Sequence, residues 1–219
     1  MKGTLYLIPS LLGDTEVGKV IPAFNNELVL SIKYYVAEDV RTVRRFLKKA
    51  NKTINIDELN FSLLNEHTDE KEIPQMLEPL LQGFDVGVVS EAGCPAIADP
   101  GAKLVDLAHR KGIKIVPLVG PSSIVLSLMA SGFNGQSFAF EGYLPIDANQ
   151  RVKKLKQFEK RIFSENQTQI FIETPYRNDK TLRDLIANCS SQLRLCIAAN
   201  ITTSNEWICT KNLYEWKKQ

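Results

Sequence analysis

The sequence predicts an α/β fold whose first sheet is largely parallel. Three observations predict it. The run Val86–Val89 (VGVV) is nearly all valine, as in a strand buried on both faces of a parallel sheet. That run and the apolar run 113–119 each empty into a loop of small residues and proline, 90–101 and 120–123, and a helical pattern follows each loop. At 44% hydrophobic and 24% charged, with no run of eighteen apolar residues, the 219-residue chain has material for a sizeable core and no membrane-spanning stretch.

Residues 3–9 (GTLYLIP) read as a buried first strand by their β-branched and aromatic content, followed by the loop 10–14. The short apolar run at the start meets Gly13 and Asp14 too early for a signal peptide. Residues 34–38 (YYVAE) read as a second strand. Arg41, Arg44, Arg45, Lys48, Lys49 and Lys52 then stud a helical stretch, expected to be a solvated face. Ile73, Met76, Leu77, Leu80 and Leu81 recur near a period of 3.6, which predicts a helix over 69–81, and Gly83 is a plausible stop. Beyond the valine run, Pro95 and Pro100 stiffen the loop. Asp99 is placed to cap a helix over 102–111, on which His109 faces solvent. Pro121 with Ser122 and Ser123 marks the start of a helix running through Met129.

The second half restarts with a strand over 138–144 (FAFEGYL), which places a domain boundary between residues 118 and 119: domains 1–118 and 119–219. Val152, Leu155, Phe158 and Ile162 give the basic stretch 147–165 one apolar side and predict a helix. Strands follow at 168–174, 193–201 and 207–213. Cys94, Cys189, Cys196 and Cys209 match no metal-binding spacing. Nothing indicates export, so they are expected to be reduced thiols in a cytoplasmic protein. The net charge of +2 makes no case for nucleic acid by itself.

The chemistry-bearing stretches lie where strands end. In an open parallel sheet, ligands bind outside the carboxyl ends of the strands. Loops rich in Gly, Ala and Ser let backbone approach a small molecule closely. Glu91 is a carboxylate in such a loop, well placed to meet a cation. The exposed N–H groups at Ser122 and Ser123 favour an acceptor-rich ligand, while a plain serine cap is the simpler reading. The dinucleotide fingerprint G-x-G-x-x-G and the GxxxxGK[ST] phosphate loop are both absent.

SEAGCPAIADPG, then VPLVGPSSIVLSLMASG, then FAFEGYLP resembles the tetrapyrrole methylase family of S-adenosylmethionine-dependent methyltransferases. Within it the chain is most similar to the ribosomal RNA small subunit methyltransferase I branch, which typically reads SDAGTPLISDPG, a GPSA-type loop and FxFEGFLP. The block FIETPYRNDKTLRDL resembles that branch's FYESPHRLxxTLxDL, and EDVR its EDTR. The resemblance covers the chain nearly end to end. It implies two α/β domains with a cofactor cleft between them, a homodimer, and S-adenosylmethionine as cofactor. It also implies cofactor contacts at Pro9, Ala92, Gly93, Cys94, Ser122, Ser123, Glu173, Thr174 and Thr203. This chain departs from the family at two places. PSLLGD stands where TPIGN is usual, and Ala199–Asn200 replace an arginine–glutamate pair.

Methyl transfer from a sulfonium needs orientation and a dry cleft more than a covalent nucleophile or a metal. A hydroxyl acceptor gains from a base; Glu38, His67 and Glu91 are the catalytic candidates, and the sequence does not choose among them. The acceptor that the resemblance implies is a ribose 2′-hydroxyl of small-subunit ribosomal RNA. The two basic helices then become candidate phosphate contacts. A tetrapyrrole or another small molecule is the alternative acceptor, and a catalytically silent cofactor-binding module is the alternative of a different class.

Overall fold

The computed structural model describes residues 1–218, which divide into two compact units. Unit 1 comprises Met1–Ser122 with Thr202–Ser204, and unit 2 comprises Ser123–Ile201 with Asn205–Gln219.

Unit 1 contains β1 (Thr4–Ile8), α1 (Val17–Val20), α2 (Ala23–Leu28), β2 (Tyr34–Ala37), α3 (Val40–Ala50), β3 (Asn60–Leu63), α4 (Glu78–Leu81), β4 (Val86–Val89), α5 (Gly101–Arg110) and β5 (Lys114–Pro117). The five strands form one parallel sheet in the order β3-β2-β4-β1-β5. Alternation along the strands sends side chains to two separate cores. Leu5, Val36, Val86 and Val88 pack with Leu77 and Leu80 before β4 and with Leu104 and Ala108 of α5. Ile8, Tyr35, Ala37 and Val89 pack on the opposite face with residues of α1 to α3. Every residue of β4 is buried, as its valine content predicts.

The predicted helix over 69–81 is a 3₁₀ turn, Ile73–Leu77, followed by the short α4. Pro74 and Pro79 interrupt the ladder of N–H donors that one continuous helix needs. The apolar positions are nonetheless spent as expected. Ile73, Met76, Leu77 and Leu80 are buried, while Leu81 is exposed.

Unit 2 contains α6 (Ser123–Ser131), β6 (Phe138–Tyr143), α7 (Ala148–Glu165), β7 (Thr168–Ile172), α8 (Asn178–Asn188), β8 (Arg194–Ala199), β9 (Trp207–Asn212) and α9 (Leu213–Trp216). β6 pairs with β7 in parallel, and β8 with β9 antiparallel, as two separate two-stranded sheets. Leu155, Phe158, Leu185, Leu213 and Trp216 form the core against which Phe171, Leu195 and Ile197 are only partly buried. Asp147 caps α7 by accepting from Gln150 N at 2.9 Å. Arg151 of that helix is buried and bound to Asp184, its Nε donating to Oδ2 at 2.7 Å. Among the described residues no helix is long and apolar enough to cross a membrane.

Candidate functional site

The sheet order of unit 1 sets the position of the site. β4 lies between β2 and β1. The connections leaving β1 and β2 run over one face, through α1–α2 and α3, whereas the connection leaving β4 runs over the other through α5. The loop after β4 therefore stands at a topological switch point, where open α/β sheets leave a crevice at their carboxyl edge.

Three loops converge there on Gly93. Its carbonyl accepts from Ser10 N at 2.9 Å, after β1, and from Ser90 Oγ at 3.1 Å. Its φ of +76° suits glycine, and a Cβ added there would meet Leu12 Cδ2 at 3.0 Å and the Pro121 carbonyl at 3.3 Å. Gly120 is packed more tightly still, since its Cβ would lie 2.3 Å from Pro9 Cβ. The Cys94 thiol donates to the Pro121 carbonyl at 3.4 Å, and burial pushes its pKa up, so it stays protonated and hydrogen-bonded. Thr203 belongs to the same cluster: a Cβ on Gly13 would meet its Cγ2 at 2.6 Å.

The expected cofactor contacts Pro9, Ala92, Gly93, Cys94, Ser122 and Thr203 all fall in unit 1, on or beside these loops. Their chemistry fits a compact ligand with an adenosine and an amino-acid part. Backbone takes the place of side chains at Gly93 and Gly120. The Ser10 hydroxyl is buried with no partner among the described residues, leaving a donor and acceptor for a ligand to meet. Leu12, from the PSLLGD departure, stands against Gly93 as part of the wall.

The catalytic candidates do not all come together. Glu38 Oε2, at the end of β2, accepts from Glu91 N at 2.9 Å, so these two loops are tied at adjacent strand ends. His67 follows β3, the edge strand, is exposed, and lies beside Glu66, with Nε2 and Oε1 at 3.4 Å. The sheet order separates it from the loop after β4 by β2.

Asp99, read from sequence as a helix cap, does more than that. Its Oδ1 accepts from Gly101 N at 2.7 Å, at the start of α5, and from Ala96 N at 2.8 Å. Ala96 and Ala98 are both left-handed, at φ +66° and +60°. That conformation costs roughly 1–2 kcal/mol per non-glycine residue and persists only where neighbours impose it. Burial, together with the Glu38 charge, holds the Asp99 carboxyl above its ordinary value despite those two N–H groups. An Asp–Pro step in a loop of alanines was the available signal; the paired left-handed alanines have none.

Unit 2 carries the remaining three. Ser123 opens α6. Glu173 is fully engaged within the unit: Oε1 accepts from Thr174 N at 2.9 Å, and Oε2 accepts from Thr181 Oγ1 at 2.9 Å and pairs with Arg177 at 3.2 Å. Its carboxylate fixes the turn after β7 and presents no spare oxygen. Thr174 Oγ1 is buried without a partner among the described residues, the counterpart of Ser10 in unit 1.

The basic helices divide into bound and unbound charges. On α3, Arg44 pairs with Asp57 at 3.0 Å and Lys49 with Asp14 at 2.7 Å. On α7, Lys154 and Arg161 both pair with Glu141, at 2.6 and 2.7 Å, and Arg151 is buried. Arg41, Arg45, Lys153 and Lys160 are exposed with no ion pair among the described residues.

The sequence model of the Tetrapyrrole (Corrin/Porphyrin) Methylases matches residues 25–217. The ribosomal RNA small subunit methyltransferase I of Vibrio cholerae is 31% identical over 204 residues, 93% of this chain and 67% of that one. The Escherichia coli O157:H7 protein of the same name is 30% identical over 94% of this chain and 68% of its own. The Thermotoga maritima protein is 39% identical over 69% of this chain and 64% of its own. The chain spans between 55 and 68% of the length of the curated relatives it matches. Among solved structures, the methyltransferase CobJ matches 98% of this chain and 88% of its own at a TM-score of 0.65 and 16% identity. The cobalt precorrin-4 methyltransferase CbiF matches 98% and 87% at 0.61 and 15%. At these identities the likeness is one of fold.

Proposed function

This chain belongs to the tetrapyrrole methylase family of S-adenosylmethionine-dependent methyltransferases, and on that premise we propose that its methyl acceptor is a ribose 2′-hydroxyl of small-subunit ribosomal RNA. The observation that carries the reading is that relatives 30–39% identical to this chain are named small-subunit ribosomal RNA methyltransferases. Arg41, Arg45, Lys153 and Lys160, which carry no ion pair among the described residues, support it, since phosphate contacts need charge that is not already neutralised within the protein. A cytoplasmic homodimer completes the proposal, and sedimentation velocity tests its assembly.

In this reading the loops around Pro9, Ala92, Gly93, Cys94, Ser122 and Thr203 hold the cofactor. Bound S-adenosylmethionine supplies an electrophilic methyl on a sulfonium. The chain supplies the rest. Close packing of Gly93 against Leu12 and Pro121, and of Gly120 against Pro9, fixes the loops, and Ser10 offers a hydroxyl to orient the ligand. Glu38 is the base. Its Oε2 is held by Glu91 N–H, and its other oxygen takes the hydroxyl proton. Glu91 acts through its backbone, and His67 has no role in the chemistry. Exchange of Glu38 for Gln keeps the hydrogen bond but not the basicity. It should lower the transfer rate about 10²-fold with cofactor affinity unchanged.

The experiment is methyl transfer from labelled S-adenosylmethionine to small ribosomal subunits from cells lacking this gene, with precorrin-type tetrapyrroles in parallel. Label mapped to a ribose supports the proposal. Label in the tetrapyrrole, or on an RNA base, overturns it.

A further inference from the structure

Two exposed tyrosines of unit 2 stand on loops that buried charges hold in place. β6 and β7 are parallel neighbours, and Tyr143, the last residue of β6, lies in register with Ile172, the last of β7. The turn Pro175–Arg177 follows β7, so the loops leaving both strands emerge side by side. The register of β6 breaks between Phe140 and Tyr143, around Gly142 at φ +67°. Regular alternation would send Tyr143 to the side of Glu141, whose carboxylate is held by Lys154 and Arg161 of α7. The break re-aims the strand end, and Tyr143 is 60% exposed. Tyr176 is 85% exposed and Ile146 82%.

Two guanidinium groups tie these loops together. Arg177 Nη2 donates to the Leu144 carbonyl at 2.8 Å and to the Pro145 carbonyl at 3.3 Å, and Glu173 pairs with it at 3.2 Å. Buried Arg151 donates through Nη1 to the Pro145 and Ile146 carbonyls at 3.0 and 2.8 Å, while Asp184 fixes its Nε. Three successive carbonyls thus meet cationic donors, whose hydrogen bonds are roughly twice as strong as neutral ones. Each tyrosine is the chain neighbour of one end of the Arg177–Leu144 bond, which sets the two rings on braced backbone close to each other. Single exposed apolar side chains are ordinary, but burying a guanidinium to brace a loop is costly, and a plain solvated turn does not require it. Rings held this way lose little freedom when they bind.

We propose that Tyr143 and Tyr176 stack on bases of an unpaired stretch of the RNA substrate, a platform that rests on the RNA reading given above. Every base has a π face, so such rings bind unpaired nucleotides with little regard to sequence, whereas a duplex keeps those faces covered. Ile146 adds apolar surface beside them. On the helices that follow the two loops, Lys153, Lys180 and Arg183 are exposed with no ion pair among the described residues, against the exposed carboxylates Asp147 and Asp179. That near balance leaves little net charge for phosphates, so stacking carries the binding at this place.

The test measures binding of a fluorescein-labelled unpaired RNA, binding of the same RNA as a duplex, and methyl transfer to small ribosomal subunits. Tyr143→Ala and Tyr176→Ala should each weaken the unpaired RNA about tenfold, the order expected for losing one stacked base. The salt slope and duplex binding should stay as in wild type, with native-like tryptophan fluorescence, and KM for the subunits should rise by the same factor. Tyr143→Phe and Tyr176→Phe keep the rings and should keep the affinity. Phe163 is exposed too, but lies about 22 Å along α7 from its start, and Phe163→Ala should leave RNA affinity unaltered. Alanine variants that bind RNA like wild type, while wild type labels RNA, would overturn the platform and leave the acceptor standing. A wild type that binds no RNA and labels only a tetrapyrrole would overturn both. Weakened S-adenosylmethionine binding in the alanine variants would place the rings at the cofactor, and a changed sedimentation coefficient would place them between two copies of the chain. Either result, with RNA affinity intact, overturns the proposal.

Discussion

β4 (VGVV) and β8 after Arg194 (LCIAA) are both runs of small and branched apolar residues, and they end in opposite states. Every residue of β4 is buried, between β2 and β1 and under helices on both faces. Among the described residues β8 has one neighbour, and no residue of it is fully buried. The local sequence makes each a strand, but lateral neighbours from elsewhere in the chain decide whether its backbone is satisfied. Unit 1 carries its five neighbours within residues 1–122. Among the described residues unit 2 has two separate two-stranded sheets, β6-β7 and β8-β9.

The largest effect separates the two cores. Leu104 and Leu155 are both fully buried, but Leu155 also lines a cavity bordered by β7 and β8. Leu104→Ala opens a cavity in closed surroundings and should cost about 3–5 kcal/mol, whereas Leu155→Ala enlarges an existing space and should cost about 2 kcal/mol. Both tryptophans are in unit 2, so their fluorescence in urea follows Leu155→Ala, and exchange of β4 amides follows Leu104→Ala. Equal losses would break the contrast between a closed and an open sheet.

The next tests whether the site belongs to the closed unit. Gly93→Leu forces a side chain into a left-handed backbone against Leu12 and the Pro121 carbonyl. Affinity for S-adenosylmethionine should fall at least 100-fold, read by calorimetry, with unit 2 fluorescence unchanged. Unaltered affinity would remove the cofactor from these loops.

A smaller effect concerns the charges. Arg45→Glu and Lys153→Glu should each weaken RNA binding and flatten its salt dependence by about one unit of slope. Arg44→Glu and Lys154→Glu, whose cations already have carboxylate partners, should change the slope less. Identical slopes for all four would make both helices merely solvated faces.

How much of this was legible differs between the units for the same reason. The strands at 3–9, 34–38 and 86–89 were readable because burial on both faces leaves an apolar run. β3 (NFSL) was not, because a short, half-polar edge strand has no such pattern. The short helices α1 and α2, around Pro22, left no period to find. The loops of the site were legible as small-residue stretches. The Glu38–Glu91 contact was not, because it depends on the strand order that sets β2 beside β4. In unit 2 the four strands and the helices α6 and α7 were readable, whereas α8 and α9 were not read as helices. The division into two separate sheets was not readable either, since pairing partners are not written in alternation.

Asp99 gives the smallest effect and bears on why the closed unit tolerates strain at its rim. Its Oδ1 holds Ala96 N and Gly101 N, and with them the two left-handed alanines. Burial raises its pKa above 3.8, so the native state binds this proton more tightly than the unfolded state does. The group's favourable contribution is therefore whole at pH below 3.8, and it declines as pH rises through the raised native value. Asp99→Asn keeps the acceptor and removes the titration. Relative to wild type it should gain stability as pH rises from 4 toward 7 and then hold level, whereas Asp99→Ala loses both hydrogen bonds and is less stable throughout. Melting temperatures of the three proteins across that range decide it. A difference between wild type and Asp99→Asn that stays constant with pH would mean that the carboxyl is not strained. The loop would then be held by the geometry of Pro95 and Pro100 instead.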